Sequence, residues 1–349
     1  MNSYVILLNM NDWKSTIECL ESVFRLGAAR FRVIVCDNDS SDGSVEKIAA
    51  WARGSLQAQT ANPELAYLTT PPVAKPVPYV ELTRAQAESA KAVHDAPLTL
   101  IRNGVNLGFA GGNNVGIRYA LRDGECRFFW ILNNDTVVDP GALEAMIRLM
   151  EEQKDLGLCG SLNLSYANPK EVQTEGGNQY SRWTGRVRKR PRRFIGNLPP
   201  EPAHFDYVNG ASMLASREFL ESVGLMEESY FLYFEEMDWA MRAKGKFKLG
   251  YTRDSIIYHK EGACIGSSGD RRKRSLLSER YLTRNRVLFT RRYFPWALPT
   301  VIGAICAAGL ERICRGNWSR GRTMFAALAE GLKLSLAGAK TSLIAEEGQ

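Results

Sequence analysis

Phe31-Arg32-Val33-Ile34-Val35-Cys36-Asp37-Asn38-Asp39-Ser40-Ser41-Asp42-Gly43-Ser44 is an apolar, β-branched run that stops at a carboxylate and turns polar. A strand is predicted over Phe31–Cys36, since such side chains suit a pleated surface. Three other runs repeat the pattern. Tyr4–Leu8 ends in Asn9, Leu98–Ile101 ends in Arg102-Asn103, and Phe128–Leu132 ends in Asn133-Asn134-Asp135. Helical patterns around Trp13–Leu26, near Asn114–Leu121, and from Pro140 through about Gln153 separate or follow them, with Pro140 suited to a first turn. Strands alternating with helices imply an α/β fold with a mostly parallel central sheet flanked by helices. In such sheets ligands bind beyond the carboxyl ends of the strands.

The pattern is interrupted once. Six of the fourteen prolines fall between Pro63 and Pro97, which marks an inserted surface excursion over about residues 55–97, with a short helix near Thr83–Val93. After Gly157, strands are expected at Leu158–Leu162 and Asp206–Leu214, with helices near Ser216–Val223 and Asp238–Lys244. Tyr293–Leu310 carries no charge, but Pro295 and Pro299 break it. Two readings stand side by side. One is a segment lying on or dipping into a membrane, with Arg291, Arg292 and Trp296 at the headgroups. The other is a pair of C-terminal helices burying Phe325, Leu328, Leu332 and Leu336. The division expected is a main domain over 1–290 and a C-terminal helical extension over 291–349.

Length and charge bound the function. At 349 residues the chain holds one large domain or two ordinary ones, and 45% hydrophobic with 24% charged residues is the balance of a folded protein. The net charge of +7 is concentrated. Arg182–Arg193 has seven basic residues and no acid, and Arg271–Arg292 has nine against Glu279, so the remainder is acidic. This favours two local anion-facing patches over a general coat for nucleic acid, and no nucleic acid partner is expected. Seven scattered cysteines, never spaced as CxxC, argue for reduced thiols in a cytoplasmic protein. The start of the chain reads directly into a strand, so no secretory signal is expected.

Each polar strand end alone is explained by capping, because Asn and Asp cap helices and Gly tolerates positive φ. Four in register at one sheet edge would face a common crevice. Their chemistry fits a nucleotide. Asp37 can accept a hydrogen bond from a base imide or a ribose hydroxyl. Gly108, Gly111 and Gly112, within Asn106-Leu107-Gly108-Phe109-Ala110-Gly111-Gly112-Asn113-Asn114, would let backbone approach a ligand at a helix N-terminus. The run is neither GxGxxG nor a P-loop. Asp135 suits a divalent cation held by few protein ligands and completed by a diphosphate and water.

Val5-to-Asn9, Val35-to-Ser44, Asn106-to-Asn114 and Leu132-to-Asp139, in that order, resemble the family-two inverting glycosyltransferases of the GT-A (Rossmann-like) fold, most closely a bacterial rhamnosyltransferase-like subgroup. The resemblance spans roughly residues 3–290 outside the proline-rich insertion. It implies transfer of a sugar, L-rhamnose by subgroup, from a dTDP- or UDP-sugar donor to a hydroxyl of a glycan or a polyprenyl-diphosphate-linked saccharide. The implied setting is surface polysaccharide assembly at the inner face of the cytoplasmic membrane. By position, Asp37 resembles the base-contacting aspartate. Asn9, Asn38, Asn106, Gly108, Phe109, Asn113 and Asn134 fall in the donor pocket. Asn133-Asn134-Asp135 takes the place of an Asp-x-Asp motif, which makes Asp135 the main ligand of Mg2+ or Mn2+, with Asn133 and His259 as further candidates.

Tyr230-Phe231-Leu232-Tyr233-Phe234-Glu235-Glu236-Met237-Asp238-Trp239 resembles the family segment that carries the general base. Taken alone, acids at this spacing are also what complements the dipole of a helix start. The base position is Glu236 by resemblance, and the choice among Glu236, Glu235 and Asp238 stays open. Asn209-Gly210-Ala211 resembles an acceptor-side segment, with Trp183 in the basic run as a further acceptor candidate. Arg284-Asn285-Arg286 matches a family run placed near the donor. The basic runs are equally well read as solvated loops or as surfaces for a lipid-linked pyrophosphate and an anionic membrane. The competing readings are a sugar-phosphate nucleotidyltransferase, against which Asn9-Met10-Asn11-Asp12-Trp13 replaces the expected Gly-rich basic turn, and a non-catalytic lipid- or nucleic-acid-binding module, which leaves the acids unexplained.

Overall fold

The computed structural model describes residues 2–27, 30–188, 193–199, 204–260 and 275–346, with side chains described as far as residue 334. The expected Arg271–Arg274 patch, residues 189–192 of the other basic run, Cys264 and the Leu336 side chain therefore lie outside the described residues. The six cysteines within them are free thiols.

One mixed sheet of eleven strands organises the chain. Its strands are β1 (Asn2–Asn9), β2 (Arg30–Asp37), β3 (Tyr79–Thr83), β4 (Leu98–Arg102), β5 (Cys126–Asn133), β6 (Thr136–Val138), β7 (Leu156–Ser165), β8 (Glu171–Glu175), β9 (Arg193–Phe194), β10 (Ser212–Ser216) and β11 (Lys248–His259). The spatial order is β9-β8-β7-β10-β5-β1-β2-β4-β3, while β11 runs parallel to the other side of β7 and also pairs with β6. Strands β5, β1, β2, β4 and β3 are parallel. The helices are α1 (Trp13–Val23), α2 (Ser44–Arg53), α3 (Arg84–Ser89), α4 (Gly108–Ala120), α5 (Ala142–Glu152), α6 (Arg217–Val223), α7 (Glu235–Ala243), α8 (Leu276–Tyr293), α9 (Leu298–Cys314) and α10 (Trp318–Glu346).

Both faces of the sheet are covered, because successive strand residues point to opposite sides. Val5 and Leu7 of β1 join Val33 and Val35 of β2 and Trp130 of β5 against Ile17, Leu20, Ile48, Trp51 and Met146 of α1, α2 and α5. Tyr4 and Ile6 join Ile34, Phe129 and Ile131 against Val115, Ile117, Phe219 and Trp239 of α4, α6 and α7. The three most deeply buried indoles each find an acceptor: Trp51 donates to Glu21 Oε1 (2.7 Å), Trp130 to Ser212 Oγ (2.8 Å) and Trp239 to the Gly224 carbonyl (2.8 Å). Each ring therefore contributes ~2–3 kcal/mol of burial without a stranded N–H.

Four expectations change. The proline-rich stretch is more than a surface excursion, because β3 within it completes the sheet edge beside β4, and the Val77 N–H bonds the Ala52 carbonyl. Its 3-10 turn Pro63–Leu68 buries Leu65 and Leu68 against Val137, Leu162 and Tyr258. The strand expected over Asp206–Leu214 is two pieces, Tyr207–Val208 and β10, split by a turn at Asn209-Gly210-Ala211. The Gly-rich run is already helical from Gly108 rather than from Asn114, and α7 begins at Glu235 rather than Asp238. At the C-terminus, α8 leads into a hairpin of α9 and α10, the paired helices of one of the two expected readings. Val287, Val301, Ile305, Ala308, Met324 and Leu328 form the hairpin's core, and Phe325 closes on Gly309.

Candidate active site

The parallel ladder aligns the strand ends: Asn9 pairs with Asp37, Asp37 with Arg102, and Leu8 with Asn133. A polar chain runs across them. Asn9 Nδ2 donates to Asp37 Oδ1 (2.7 Å), Thr16 Oγ1 donates to Asn9 Oδ1 (2.8 Å), and Asn134 Nδ2 donates to Thr16 Oγ1 (2.9 Å). Ser40 holds both Asp37 oxygens, through its hydroxyl at 2.6 Å and its backbone N–H at 3.0 Å. The Asp37 carboxylate is buried and oriented before any ligand arrives, which is the condition for reading a base.

A cleft of about 290 Å³ opens beside this chain, lined by Leu8, Met10, Asn38, Asn106, Gly108, Phe109, Asn133, Asn134, Asp135, Phe231, Leu232, His259, Ser275 and Leu277. Asn38 pins the Gly-rich turn, donating to the Gly108 carbonyl (2.9 Å) and accepting from Asn103 Nδ2 (2.9 Å). Asn106 accepts from the Gly108 N–H (2.9 Å). The glycines allow close packing here. At Gly108, φ is +72° and a Cβ would sit 2.2 Å from the Phe231 carbonyl oxygen, which itself accepts the Phe109 N–H at 2.6 Å. The start of α4 is thus occupied by protein backbone. A Cβ at Gly112 would meet Leu8 at 2.4 Å, so its absence lets α4 press on β1. Asn113 is buried in α4, donates to the Phe109 carbonyl (2.9 Å), and leaves its Oδ1 without a partner.

The metal-ligating candidates meet at one end of the cleft. His259, at the end of β11, places Nε2 at 3.2 Å from Asp135 Oδ1 and 3.4 Å from Asn133 Nδ2. Gln173 donates to the His259 carbonyl (3.0 Å), which turns its own Oε1 to His259 Nδ1 at 3.1 Å. An Nδ1–H bonded there leaves the Nε2 lone pair facing a carboxylate, and two acceptors at that distance need a positive charge between them. A divalent cation with oxygen and imidazole preference fits the same donors. Burial would raise the Asp135 carboxyl, but the charge and hydrogen bond of His259, with Lys260 behind, hold it below the usual carboxylate range. No cluster of three His, Cys, Asp or Glu side chains occurs among the described residues, so any cation here would rely on ligands from outside the protein.

The three acids of α7 do different things. Glu235 and Glu236 open the helix after a loop in which Phe231, Tyr233 and Phe234 have φ of 64°, 68° and 79°. Non-glycine residues in that region store ~1–3 kcal/mol each and persist only where the surroundings hold them. Asn285 does so, with Nδ2 donating to the carbonyls of Tyr230 (2.9 Å), Leu232 (2.8 Å) and Tyr233 (3.0 Å). Arg284 adds bonds to the Ser229 (2.7 Å) and Tyr230 (2.9 Å) carbonyls. Glu236 points toward Gly210: its Oε1 would lie 3.6 Å from a Cβ there, with the Phe109 ring at 3.9 Å. Its Oε2 is buried without a partner, and burial lifts the carboxyl from 4.5 to about 7. Glu235 is buried, and burial with the nearby Glu236 charge pushes its carboxyl well above the carboxylate range.

Three candidates sit elsewhere. Asp238 has no exposed surface and is committed to Arg242 (2.7 Å), Arg292 (3.1 Å) and Tyr293 (2.6 Å). It faces α8, away from the cleft. Arg284 grips the loop backbone and does not line the cleft. Trp183 is exposed and meets Trp296 edge-on at 4.8 Å, next to α9. Asn209 and Gly210 form the turn facing Glu236, with Asn209 Oδ1 accepting from the Ala211 N–H (3.0 Å) and Asn163 Nδ2 (3.2 Å). Gln173, Asn285, Thr16 and the cleft-lining Met10, Ser275 and Leu277 escape sequence reading. Only Asn285, inside the Arg-Asn-Arg run, had a signal.

Comparisons with known proteins fit this geometry. The low-salt glycan biosynthesis hexosyltransferase Agl10 of Haloferax volcanii is 29% identical over 152 residues, 41% of this chain and 45% of that protein. The chain thus matches less than half the length of this relative. Among solved structures, GalNAc-T7 with UDP, GalNAc and Mn2+ aligns with a TM-score of 0.52 at 13% identity, over 85% of this chain and 51% of that one. The mannosyltransferase PcManGT of Pyrobaculum calidifontis, in complex with GDP-Man and Mn2+, aligns over 96% of this chain and 86% of that one with a TM-score of 0.46 and 14% identity. The fold class is the GT-A-like α/β arrangement. The sequence profile described as Glycosyl transferase family 2 matches residues 4–68 and 80–221, skipping the stretch that leads to β3. More than half of the chain is matched, with the four polar strand ends inside the matched region, and the chain belongs to glycosyl transferase family 2.

Proposed function

We propose that the protein is an inverting hexosyltransferase that moves a sugar from a dTDP- or UDP-sugar to a hydroxyl of a glycan or polyprenyl-diphosphate-linked saccharide, in bacterial surface polysaccharide synthesis. The observation that carries this reading is the presence of two chemistries near Phe109, which lines the cleft and lies beside Gly210. Asp135 and His259 stand at one end of the cleft, and Glu236, with an unpartnered oxygen and a pKa near 7, stands by Gly210. Agl10, named a hexosyltransferase, and GalNAc-T7, solved with UDP and Mn2+, support the reaction and donor classes.

Asp37, fixed by Asn9 and Ser40, accepts the imide N–H of the base. Mg2+ or Mn2+ held by Asp135 and His259, with Asn133 beside them, would offset charge gathering on the departing diphosphate. Glu236 accepts the acceptor hydroxyl proton as that oxygen attacks the anomeric carbon. The bond to the diphosphate breaks on the opposite face, so the configuration inverts. A base near 7 matches neutral pH, where it is partly ionised and still basic enough to pull.

Leu8, Met10, Phe109, Phe231, Leu232 and Leu277 give the cleft an apolar lining that favours a sugar with a methyl at C6, which supports rhamnose over a hexose with a hydroxymethyl there. Purified protein incubated with a panel of nucleotide sugars and Mn2+ should hydrolyse its donor slowly and bind the matching nucleoside diphosphate. No binding across the panel, or turnover preserved in Glu236→Gln, rejects the proposal.

A further inference from the structure

The stretch Pro295–Cys314 has a mean hydropathy of 1.5, yet only 28% of it is buried. The inner face of α9, Val301, Ile305 and Ala308, packs on α8 and α10. Its outer face is open along Trp296, Pro299, Gly303, Ala307 and Leu310, spaced three or four residues apart as one helical stripe requires. Aromatic rings mark both ends. Trp296 (53% exposed) meets Trp183 (61% exposed), whose carbonyl accepts from Thr300 Oγ1 at 2.8 Å, and Trp318 (64% exposed) stands beyond the other end. Arg182, next to Trp183, and Arg188, at the end of the same hairpin, are exposed, and Arg186 Nη2 donates to the Ala304 carbonyl (3.4 Å). The acid near this face, Glu311, is paired with Arg315 at 3.0 Å. Apolar surface between indoles, with arginines at the rim, is the composition of a headgroup–acyl boundary.

The direction of α9 matters. Arg312, near its C-terminus, pairs with Glu279 in the first turn of α8 at 2.7 Å, so α9 runs back toward the end of α8 that lines the cleft. There Leu276 and Leu277 are 46% and 47% exposed.

We propose that α9 lies in the plane of an anionic lipid bilayer, with Trp183, Trp296 and Trp318 at headgroup depth, and thereby turns the mouth of the cleft toward the membrane. The last clause rests on the transferase reading, because a polyprenyl-linked acceptor would arrive from that side; the docking does not. A crossing orientation fits less well. Crossing would strip Val301, Ile305 and Ala308 from their partners on α8 and α10.

The test is flotation of the full chain with vesicles of phosphatidylcholine, alone or with about one-third phosphatidylglycerol. Binding should be at least roughly tenfold stronger to the anionic vesicles and should be released by alkaline carbonate. Trp183→Ser with Trp296→Ser, and separately Arg182→Gln with Arg188→Gln, should each weaken it roughly tenfold without changing the melting temperature. Leu310→Gln is the second probe of the face. Overturning results are equal binding to neutral vesicles, variants that bind like the parent, resistance to alkali, or a soluble dimer that these variants dissociate. A failure here leaves donor hydrolysis untouched, so the two proposals fall separately.

Discussion

Glu236→Gln should abolish sugar transfer and make the protein more stable at pH 8. Burial lifts the Glu236 carboxyl from 4.5 to about 7, against hydrogen bonds from the backbone at the start of α7 that pull it down. A folded-state pKa above the unfolded one means that this group's contribution to stability is complete below pH 4.5 and is lost as the pH rises through about 7. At ~1.4 kcal/mol per pH unit, the ionised form costs roughly 3 kcal/mol of folding free energy above pH 7. Gln carries no charge and escapes that cost. It also removes the charge that helps raise Glu235. Urea unfolding of both proteins should show the variant ahead by about 3 kcal/mol at pH 8 and by under about 1 kcal/mol at pH 5. The change with pH is the signature, because any cost of the new amide is constant. For the parent, kcat/KM should climb about tenfold per pH unit up to about 7 and then level, as a base that must be ionised requires. A pH-independent stability gap would show that Glu236 is not held up by burial, and retained turnover would show that it is not the base.

Asp238→Asn should destabilise by about 1–3 kcal/mol in urea, because the buried carboxylate loses its charge-assisted bonds to the partly exposed Arg242 and Arg292; a variant with parental stability and no transfer would move the base to Asp238. Asn285→Ala removes three hydrogen bonds to the left-handed aromatic loop and should cost about 3 kcal/mol. It should also lower kcat far more than nucleoside diphosphate affinity by calorimetry. Asp135→Asn should weaken Mn2+-dependent donor binding at least tenfold, with donor binding in chelator unchanged, both read by titration calorimetry. Gly108→Ala places a methyl against the Phe231 carbonyl at positive φ and should lower both the melting temperature and activity, in thermal unfolding and donor hydrolysis.

The strand ends were legible because their signal is local. An apolar run that stops at Asn9, Asp37 or Asn133 states its own boundary, and the register that aligns them follows from parallel pairing. The edge strand β3 was hidden among prolines, because its place depends on β4, nineteen residues later by the start of each strand. Gln173 is 86 residues from the His259 it orients, and Asn285 is 55 from Tyr230. No local pattern encodes such partners.

The chain's alternation of apolar runs and helices determined a parallel sheet and the edge on which its polar residues gather. Tertiary structure alone decided which acid of Glu235-Glu236-x-Asp238 stands by the Gly210 turn. Two residues along a helix turn a side chain by about 200°. Glu236 therefore lies by Gly210, while Asp238 meets Arg292 and Tyr293 of α8. Neighbours in sequence were set in different surroundings by what packs on each side.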